Sequence, residues 1–152
     1  MNPQHEKQET ALPPIFRQYL VYLRDARRLA ALTLVSYEHD LATLARFTTQ
    51  KYPDDSRVPD DLLRQLQAHD IRYFITRLHG EGLSGRSLAR MLSVWRGFYR
   101  YLIRHHHHSD DPCLGVRVPK STHKLPNALS PDEAAQLLTF KPTDPLAIRD
   151  LA

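Results

Sequence analysis

One long amphipathic segment constrains the fold of this chain more than any other feature. Between 85 and 106, apolar side chains recur every three or four residues without a break, namely Leu88, Met91, Leu92, Trp95, Phe98, Tyr99, Leu102 and Ile103. A period near 3.6 residues places these side chains on one side of an α-helix. Ser84 precedes the segment and is a favoured N-cap residue. We therefore expect a central core helix that Ser84 caps.

Two earlier segments show the same periodicity. The first predicts a helix near 12–29, where two prolines suit the first turn because a missing amide proton costs nothing there. The second predicts a helix that Thr33 caps and that ends near 50, with Asp40 in an early turn that favours acids. Their apolar faces comprise Leu12, Ile15, Phe16, Tyr19, Leu20, Leu23 and Ala26, followed by Leu34, Tyr37, Leu41, Leu44 and Phe47.

The middle of the chain predicts a loop and one more helix. Residues 52–61 are rich in Asp and contain two prolines, which predicts a loop followed by one helical turn at 62–66. Asp70 is expected to cap a helix that two glycines end, and this helix would bury Ile71, Phe74, Ile75 and Leu78. No segment alternates like a strand. We expect an all-α domain with four main helices over 12–108.

Beyond the long helix, the periodicity stops. Residues 109–128 contain several prolines, which predicts a linker, and a helix start with a serine cap and a proline follows at Ser130. Residues 1–11 are expected to be a flexible N-terminus, and 129–152 to begin a further domain that is cut short. Met1–Thr10 lacks the pattern of a secretory signal, and Cys113 is the only cysteine. We therefore expect a cytoplasmic protein without a membrane partner.

The basic charge is concentrated in one segment. The chain has a net charge of +4, and residues 82–124 carry 8 basic and 2 acidic residues. On a helical wheel, the side opposite the apolar face of the long helix carries Arg86, Arg90, Ser93, Gly97, Arg100 and Arg104, with Arg96 on its flank. We call this side the basic face. A solvated surface is one interpretation of it.

The absence of acids in this segment favours a different interpretation. No Asp or Glu lies between Gly82 and His108, so no neighbour on the same helix neutralises the arginines. We expect an external anion to do so, with Gly97 allowing a DNA backbone to approach closely. Arg86 and Arg90, near the amino end of the helix, are candidates for contacts with guanine. The following segment adds basic residues that could follow DNA, among them Lys120 and Lys124.

The sequence contains no pattern typical of catalysis or metal binding. A Gly-rich phosphate loop, paired metal-spaced histidines and a nucleophile elbow are all missing. Four consecutive histidines, His105–His108, point in different directions, whereas the ligands of a metal site converge. We expect the tyrosines within the helices to be core or groove-wall residues. No catalytic residue, cofactor or metal is therefore expected in this chain.

Four segments, in the same order and spacing, resemble Xer-type tyrosine recombinases. Residues 32–41, with an aromatic at Phe47, are similar to the second helix of that family, and residues 82–102 are similar to the fourth. Residues 111–126 and 129–138 resemble its linker and the first helix of its catalytic domain. The resemblance covers residue 12 to the end of the chain. It implies an orthogonal four-helix, SAM-like core-binding domain that clamps one side of a DNA duplex.

The resemblance has further implications for the site and its partners. The helices at 33–50 and 84–106 would face the major groove, which adds polar candidates for DNA binding: Thr33, Ser36, Ser84 and Ser87. A second domain beyond 152 would carry a tyrosine that forms a 3′-phosphotyrosyl link with DNA. The implied partners are double-stranded DNA at a dif-like recombination site, a sister Xer-type recombinase in a tetrameric synaptic complex, and an FtsK-like DNA translocase.

Two alternatives remain open. The chain could be the core-binding domain of a phage or mobile-element integrase, which shares the same helical pattern. It could also be a small non-catalytic helical adaptor whose basic face binds an acidic protein or RNA. The histidine run differs from the short polar turn that usually follows the fourth helix in the recombinase family.

Overall fold

The computed structural model describes residues 12–55, 57 and 59–120 of the 152-residue chain. Five helices follow one another in this part: α1 (Pro14–Asp25), α2 (Ala31–Lys51), α3 (Pro59–Arg64), α4 (Ala68–Gly80) and α5 (Gly85–His105). No strand occurs among these residues, which confirms the all-α prediction. The single turn expected at 62–66 is the short helix α3, which begins three residues earlier. The predicted N-terminus at 1–11, the later linker with Lys124, and the helix start at 130 lie outside the described residues.

A core of aromatic and aliphatic side chains forms around α5, which packs against α1, α2 and α4. Trp95 and Phe98 of α5 are fully buried. The ring of Phe98 meets Phe16 of α1 edge-on, with 4.6 Å between centroids, and Phe47 of α2 stacks on Phe74 of α4 at 4.9 Å. Such aromatic pairs add about 0.5–1.5 kcal/mol each beyond the area they bury. The central position predicted for α5 is therefore confirmed.

The apolar faces are as predicted except at their edges. Ile103, expected in the core, is 40% exposed because it lies at the margin of the buried side of α5. Ala26 is exposed because α1 ends at Asp25, four residues before the predicted end. After α1, the amide of Leu29 donates to the carbonyl of Leu23 at 3.2 Å, and Arg28 adopts a left-handed conformation with φ of 53°. Arg28 thus adopts, just after the helix, a conformation for which glycine is preferred.

Of the three predicted helix caps that lie within the described residues, two are displaced. Thr33 lies in the first turn of α2, whose N-cap is Ala30. Asp70 lies at the third position of α4, where its carboxylate accepts a hydrogen bond from the amide of Gln67 at 2.9 Å. Acids are favoured both at the cap and in the first turn, so residue type alone does not fix the helix start. The cap at Ser84 is confirmed, since its Oγ accepts from the amide of Ser87 at 3.2 Å.

The core continues into the segment after α5. Cys113 and Val116 are buried, and the carboxylate of Asp111 accepts from the amide of Cys113 at 2.9 Å. The first part of the segment expected to be a linker thus packs on the helices, while the domain boundary at 108 stays a prediction. Among the described helices, none is both long enough and apolar enough to cross a membrane.

Candidate nucleic-acid interface

The arginines on the basic face of α5 do not share one environment. Arg86, Arg100 and Arg104 are exposed, and none of the three makes a side-chain hydrogen bond or ion pair with a described residue. We call them the open arginines. Arg90 and Arg96, in contrast, donate to other parts of the protein. The face is therefore basic as predicted, but only part of its charge is available to a ligand.

Arg90 is paired with an acid from another helix. Its Nε and Nη2 donate to the two carboxylate oxygens of Asp40 at 3.2 and 3.0 Å. The Asp40 side chain is fully buried, whereas 53% of the Arg90 side chain is exposed. The backbone carbonyl of Asp40 also accepts from the indole of Trp95 at 2.9 Å. The basic face was expected to be neutralised by an external anion, but at Arg90 an acid of α2 provides the opposite charge.

The same contact corrects the role expected of Asp40. Since α2 begins at Ala31, Asp40 lies in the third turn and does not stabilise the start of the helix. Its position was readable from the sequence, because Tyr37, Asp40, Leu41 and Leu44 follow the three- and four-residue spacing of the buried side. An acid on the buried side of a helix needs a hydrogen-bonding or oppositely charged partner there. The neighbouring sequence could not identify Arg90 as the partner of Asp40, because Arg90 is fifty residues away.

Arg96 fastens the segment that follows α5. Its Nε donates to the carbonyl of Cys113 at 3.5 Å and its Nη2 donates to the carbonyl of Val116. The side chain is half-buried. Arginine is suited to this task because its fork of donors can satisfy two carbonyl groups at once. Arg96 therefore fixes the segment after α5 to the helix. No observation tests its predicted contact with DNA, but these two hydrogen bonds argue against it.

The space over Gly97 is occupied. A methyl group added at Gly97 would lie 2.5 Å from the hydroxyl oxygen of Tyr19 on α1. Gly97 therefore leaves room for the Tyr19 side chain of α1. The expected approach of a DNA backbone at this position stays a prediction. Gly97 stands in the middle of the basic face, so Tyr19 separates an N-terminal part with Arg86, Arg90 and Ser93 from a C-terminal part with Arg100 and Arg104.

The polar candidates on α2 and at the start of α5 lie next to these arginines in different ways. Thr33 and Ser36 are half-buried, and the hydroxyl of Ser36 donates to the carbonyl of Leu32 at 3.2 Å. Both share a face of α2 with Asp40, which joins that face to α5 through Arg90. At the start of α5, the hydroxyl of Ser84 donates a hydrogen bond to that of Ser87 at 3.1 Å. Ser93 and Lys120 are exposed, and Lys124 lies outside the described residues.

The histidine run packs on aromatic rings. His105 ends α5, and its ring lies near those of Tyr22 and Tyr101, with centroid distances of 5.1 and 5.0 Å. The Nε2 of His106 is 3.2 Å from the hydroxyl of Tyr101. In the described part of the chain, no three His, Cys, Asp or Glu side chains come close enough together to hold a metal ion. These contacts give the histidines a role in the packing after α5.

The sequence analysis did not identify one basic residue of this surface. Arg27, in the turn after α1, lines the same pocket as Arg100 and Arg104. Neither charge pattern nor periodicity could have indicated it, because the pocket forms between two helices that are distant in sequence. The fold thus adds a charge from α1 to the C-terminal part of the basic face.

Comparison with known proteins gives a consistent result. Residues 16–106 match the model of the phage integrase N-terminal SAM-like domain. The chain is 42% identical over 141 residues to tyrosine recombinase XerC of Ralstonia pickettii (strain 12J), which covers 91% of this chain and 41% of the relative. It is 42% identical over 157 residues to tyrosine recombinase XerC 1 of Ralstonia nicotianae, with 99% and 45% covered.

A more distant relative agrees with these. Tyrosine recombinase XerC of Xanthomonas axonopodis pv. citri is 36% identical over 139 residues, covering 89% of this chain and 45% of the relative. The chain therefore spans less than half the length of these curated relatives. No solved structure matches it. The resemblance to Xer-type recombinases is confirmed, and the chain belongs to the family of phage integrase N-terminal SAM-like domains.

Proposed function

We propose that this chain is the DNA-binding N-terminal part of a Xer-type tyrosine recombinase. The observation that carries the proposal is the match of residues 16–106 to the N-terminal domain of phage integrases, with relatives named tyrosine recombinase at 42% identity. The open arginines support it, because three guanidinium groups on one side of α5 have no described partner. A DNA backbone offers a regular array of phosphates that can neutralise them.

The basic residues have two roles in this proposal, contact with base edges and contact with the DNA backbone. Arg86, in the first turn of α5, contacts a base edge in the major groove, as the amino end of a recognition helix commonly does. Arg90 uses two of its five donors on Asp40 and keeps three for DNA. Asp40 thereby holds the guanidinium in one orientation before DNA arrives. Arg100, Arg104, Lys120 and Lys124 contact the backbone and fix the register.

The full-length protein, on this proposal, continues into a catalytic domain. Its tyrosine cleaves DNA through a 3′-phosphotyrosyl intermediate, and this N-terminal part neither cleaves nor ligates DNA alone, because transesterification needs a nucleophile beside preorganised charge. The DNA is a dif-like site at which chromosome dimers are resolved in the cytoplasm. A sister recombinase completes a tetrameric synaptic complex, and an FtsK-like translocase acts on that complex.

A phage or mobile-element integrase is the second candidate, because the matching family model is described as a phage integrase domain. The two candidates differ in the DNA that they prefer. A Xer-type protein binds a dif-like duplex more tightly than a scrambled duplex of the same composition. An integrase of a mobile element shows no preference for the dif-like sequence but binds the attachment site of its own element.

Fluorescence anisotropy of labelled duplexes tests the proposal on the chain as it stands. We expect tighter binding to a dif-like duplex than to its scrambled form, and weaker binding of both as salt rises from about 50 to 200 mM. Arg86→Ala should weaken binding to the cognate duplex by about 1–3 kcal/mol, and binding to scrambled DNA by less. Arg72→Ala is the matched control, because Arg72 is an exposed arginine on α4 outside the basic face.

The contrary results are equally specific. Failure to bind either duplex at about 50 mM salt would remove the proposal, as would tighter binding to single-stranded RNA or to an acidic protein. An equal loss of affinity in Arg86→Ala and Arg72→Ala would show that α5 contributes only general charge.

A further inference from the structure

A small pocket opens between α1 and α5, beside the C-terminal part of the basic face. Its volume is about 240 Å³, and three tyrosines from the two helices form its walls: Tyr19, Tyr22 and Tyr101. Pockets for drug-sized ligands typically measure roughly 300–1,000 Å³. This pocket is therefore the right size for a small chemical group. No acidic residue lines it.

Three arginines from two separate elements surround the pocket. Arg27 follows α1, and Arg100 and Arg104 belong to α5. None of the three makes a side-chain hydrogen bond or ion pair with a described residue, while nearby Asp25 is engaged by Arg24 at 2.7 Å. Like charges that share a site disfavour one another, and a bound anion removes that repulsion. The geometry thus leaves a concentrated positive charge with no internal counterion among the described residues.

Attraction to helix ends does not account for all three arginines. The carboxyl ends of α1 and α5 carry partial negative charge and favour nearby cations. This explains Arg27, just beyond α1, and Arg104, in the last turn of α5. Arg100 lies more than one turn before the end of α5, and the effect of the dipole falls off within the last turn. Arg100 therefore needs another reason to face the pocket.

The walls of the pocket offer neutral hydrogen-bond donors. Burial raises the pKa of Tyr19 and that of Tyr101 above the ordinary value of 10.0. Both hydroxyl groups keep their protons at neutral pH, as an ordinary tyrosine does. The Tyr19 hydroxyl can donate to an oxyanion, whereas that of Tyr101 already lies 3.2 Å from Nε2 of His106. Guanidinium groups supplement them with paired donors whose fork matches the oxygens of a phosphate. A phosphate site requires hydrogen-bond donors and no nearby carboxylates, and the lining of this pocket meets both conditions.

We propose that this pocket binds a single phosphate group through Arg27, Arg100 and Arg104. The identity of the ligand as part of DNA rests on the proposed function, under which one backbone phosphodiester enters the pocket. Free inorganic phosphate offers the same chemistry and is the other source. A phosphate held from three directions fixes the position of the chain on the duplex without reading sequence.

The first experiment titrates inorganic phosphate into the full chain labelled with ¹⁵N-arginine. We expect the side-chain Nε–Hε signals of Arg27, Arg100 and Arg104 to move together along one saturation curve, relative to chloride at equal ionic strength. The signal of Arg72 serves as the control and should not follow that curve. Independent curves for the three arginines, or no saturation, would contradict a shared phosphate site.

The second experiment measures how the salt dependence of DNA binding changes in variants. The variant Arg27→Gln, Arg100→Gln, Arg104→Gln should lower the magnitude of the log–log slope by about 0.9, the value for one phosphate. Three independent contacts would lower it by about 2.7, and an unchanged slope would mean no contact; either result overturns the proposal. Arg17→Gln, Arg46→Gln, Arg72→Gln is a charge-matched control outside the pocket.

The two experiments separate the pocket from the proposed function. If the parent chain fails to bind DNA but its three arginines respond together to phosphate, the proposed function is contradicted. The phosphate site is then still supported, with free phosphate as its ligand. Thermal melting of each variant verifies folding. Arg27 lies in an exposed turn. If the triple variant does not fold, Arg27→Gln alone should weaken the shared phosphate response of Arg100 and Arg104, and an unchanged response would contradict the shared site.

Discussion

The two ends of the basic face of α5 have the same sequence pattern but different partners. At the N-terminal end, α2 brings the buried carboxylate of Asp40 to Arg90. At the C-terminal end, α1 and the turn after it bring two aromatic walls, Tyr19 and Tyr22, and a further arginine, Arg27, to Arg100 and Arg104. At the N-terminal end Arg90 is therefore internally neutralised and Arg86 is not, whereas at the C-terminal end no arginine has an internal partner among the described residues. The helix that packs opposite an arginine decides whether its charge stabilises the fold or remains available to a ligand.

The largest expected difference between the two ends is in stability. Arg90→Ala leaves the carboxylate of Asp40 buried, with only the ring of His39 at 4.0 Å. We expect the free energy of unfolding to fall by about 3 kcal/mol, the lower end for breaking a buried pair, because Arg90 is half-exposed. Arg100→Ala should change it by less than about 0.5 kcal/mol. Urea unfolding of both variants measures the difference.

A compensating change sharpens this prediction. Asp40→Asn combined with Arg90→Ala replaces the isolated charge by a neutral amide, and should recover part of the lost stability. If the double variant is no more stable than Arg90→Ala alone, the loss comes from packing and the pair is not an electrostatic link. Any test of Arg90 in DNA binding needs this control.

The stability contributed by a second paired carboxylate, that of Asp70, should depend on acidic pH, whereas the contribution of the open arginines should not. Burial raises the pKa of Asp70, but hydrogen bonds from Lys51 and Gln67 outweigh it and hold the pKa below the ordinary value of 3.8. The stabilisation is therefore present above that value and lost as the pH falls through the folded pKa. Asp70→Asn should lower the free energy of unfolding by about 2 kcal/mol at neutral pH, and by progressively less on acidification below pH 3.8.

The measurement is a series of urea unfolding curves for the parent and Asp70→Asn between neutral and acidic pH. A difference between the two proteins that stays constant down to the lowest pH would contradict the charged pairing. Arg104→Gln is a suitable comparison, because the arginine does not titrate in this range and its effect should not vary through ionisation of the mutated group.

A smaller effect tests whether α1 divides the basic face. Gly97→Ala should destabilise the chain by about 1 kcal/mol, because the added methyl lies 2.5 Å from the Tyr19 hydroxyl. In the Tyr19→Phe background, the next atom is at 3.7 Å, an ordinary contact. There the same change should instead stabilise by about 1 kcal/mol through helix propensity. An equal effect in both backgrounds, in thermal melts, would mean that Tyr19 does not occupy this space.

The smallest expected effect concerns the turn that presents Arg27. Arg28 has φ of 53°, a conformation that glycine adopts without strain. Arg28→Gly should therefore stabilise the chain by roughly 0.5–1 kcal/mol, after the greater freedom of glycine in the unfolded chain is included. Arg28→Ala is the control and should not stabilise it. A loss of stability in Arg28→Gly would indicate that the arginine side chain itself contributes to the turn.

Periodicity predicted the helices well because burial of one face repeats along each of them. Residues such as Trp95, Phe74 and Leu44 could be assigned to the core from spacing alone. The caps at Thr33 and Asp70 could not be placed, since several positions of the first turn favour the same residue types. The spacing predicted which arginines point away from the core.

The partners of those arginines depended on contacts between distant segments. Asp40 reaches Arg90 from another helix, Tyr19 covers Gly97, and Arg96 holds residues that follow its own helix. A sequence read segment by segment contains no signal for such pairs, apart from the inward phase of Asp40. The predicted contacts of individual residues with DNA therefore stay predictions.

The most direct test is the response of arginine side chains to duplex DNA, observed by NMR on the ¹⁵N-arginine-labelled chain. We expect the Nε–Hε signals of Arg86, Arg100 and Arg104 to shift on binding, because these groups acquire phosphate or base partners. The signal of Arg96 should stay in place, because its donors already serve the carbonyls of Cys113 and Val116. A shift of the Arg96 signal while those of the open arginines stay unchanged would contradict the proposal that the open arginines bind DNA.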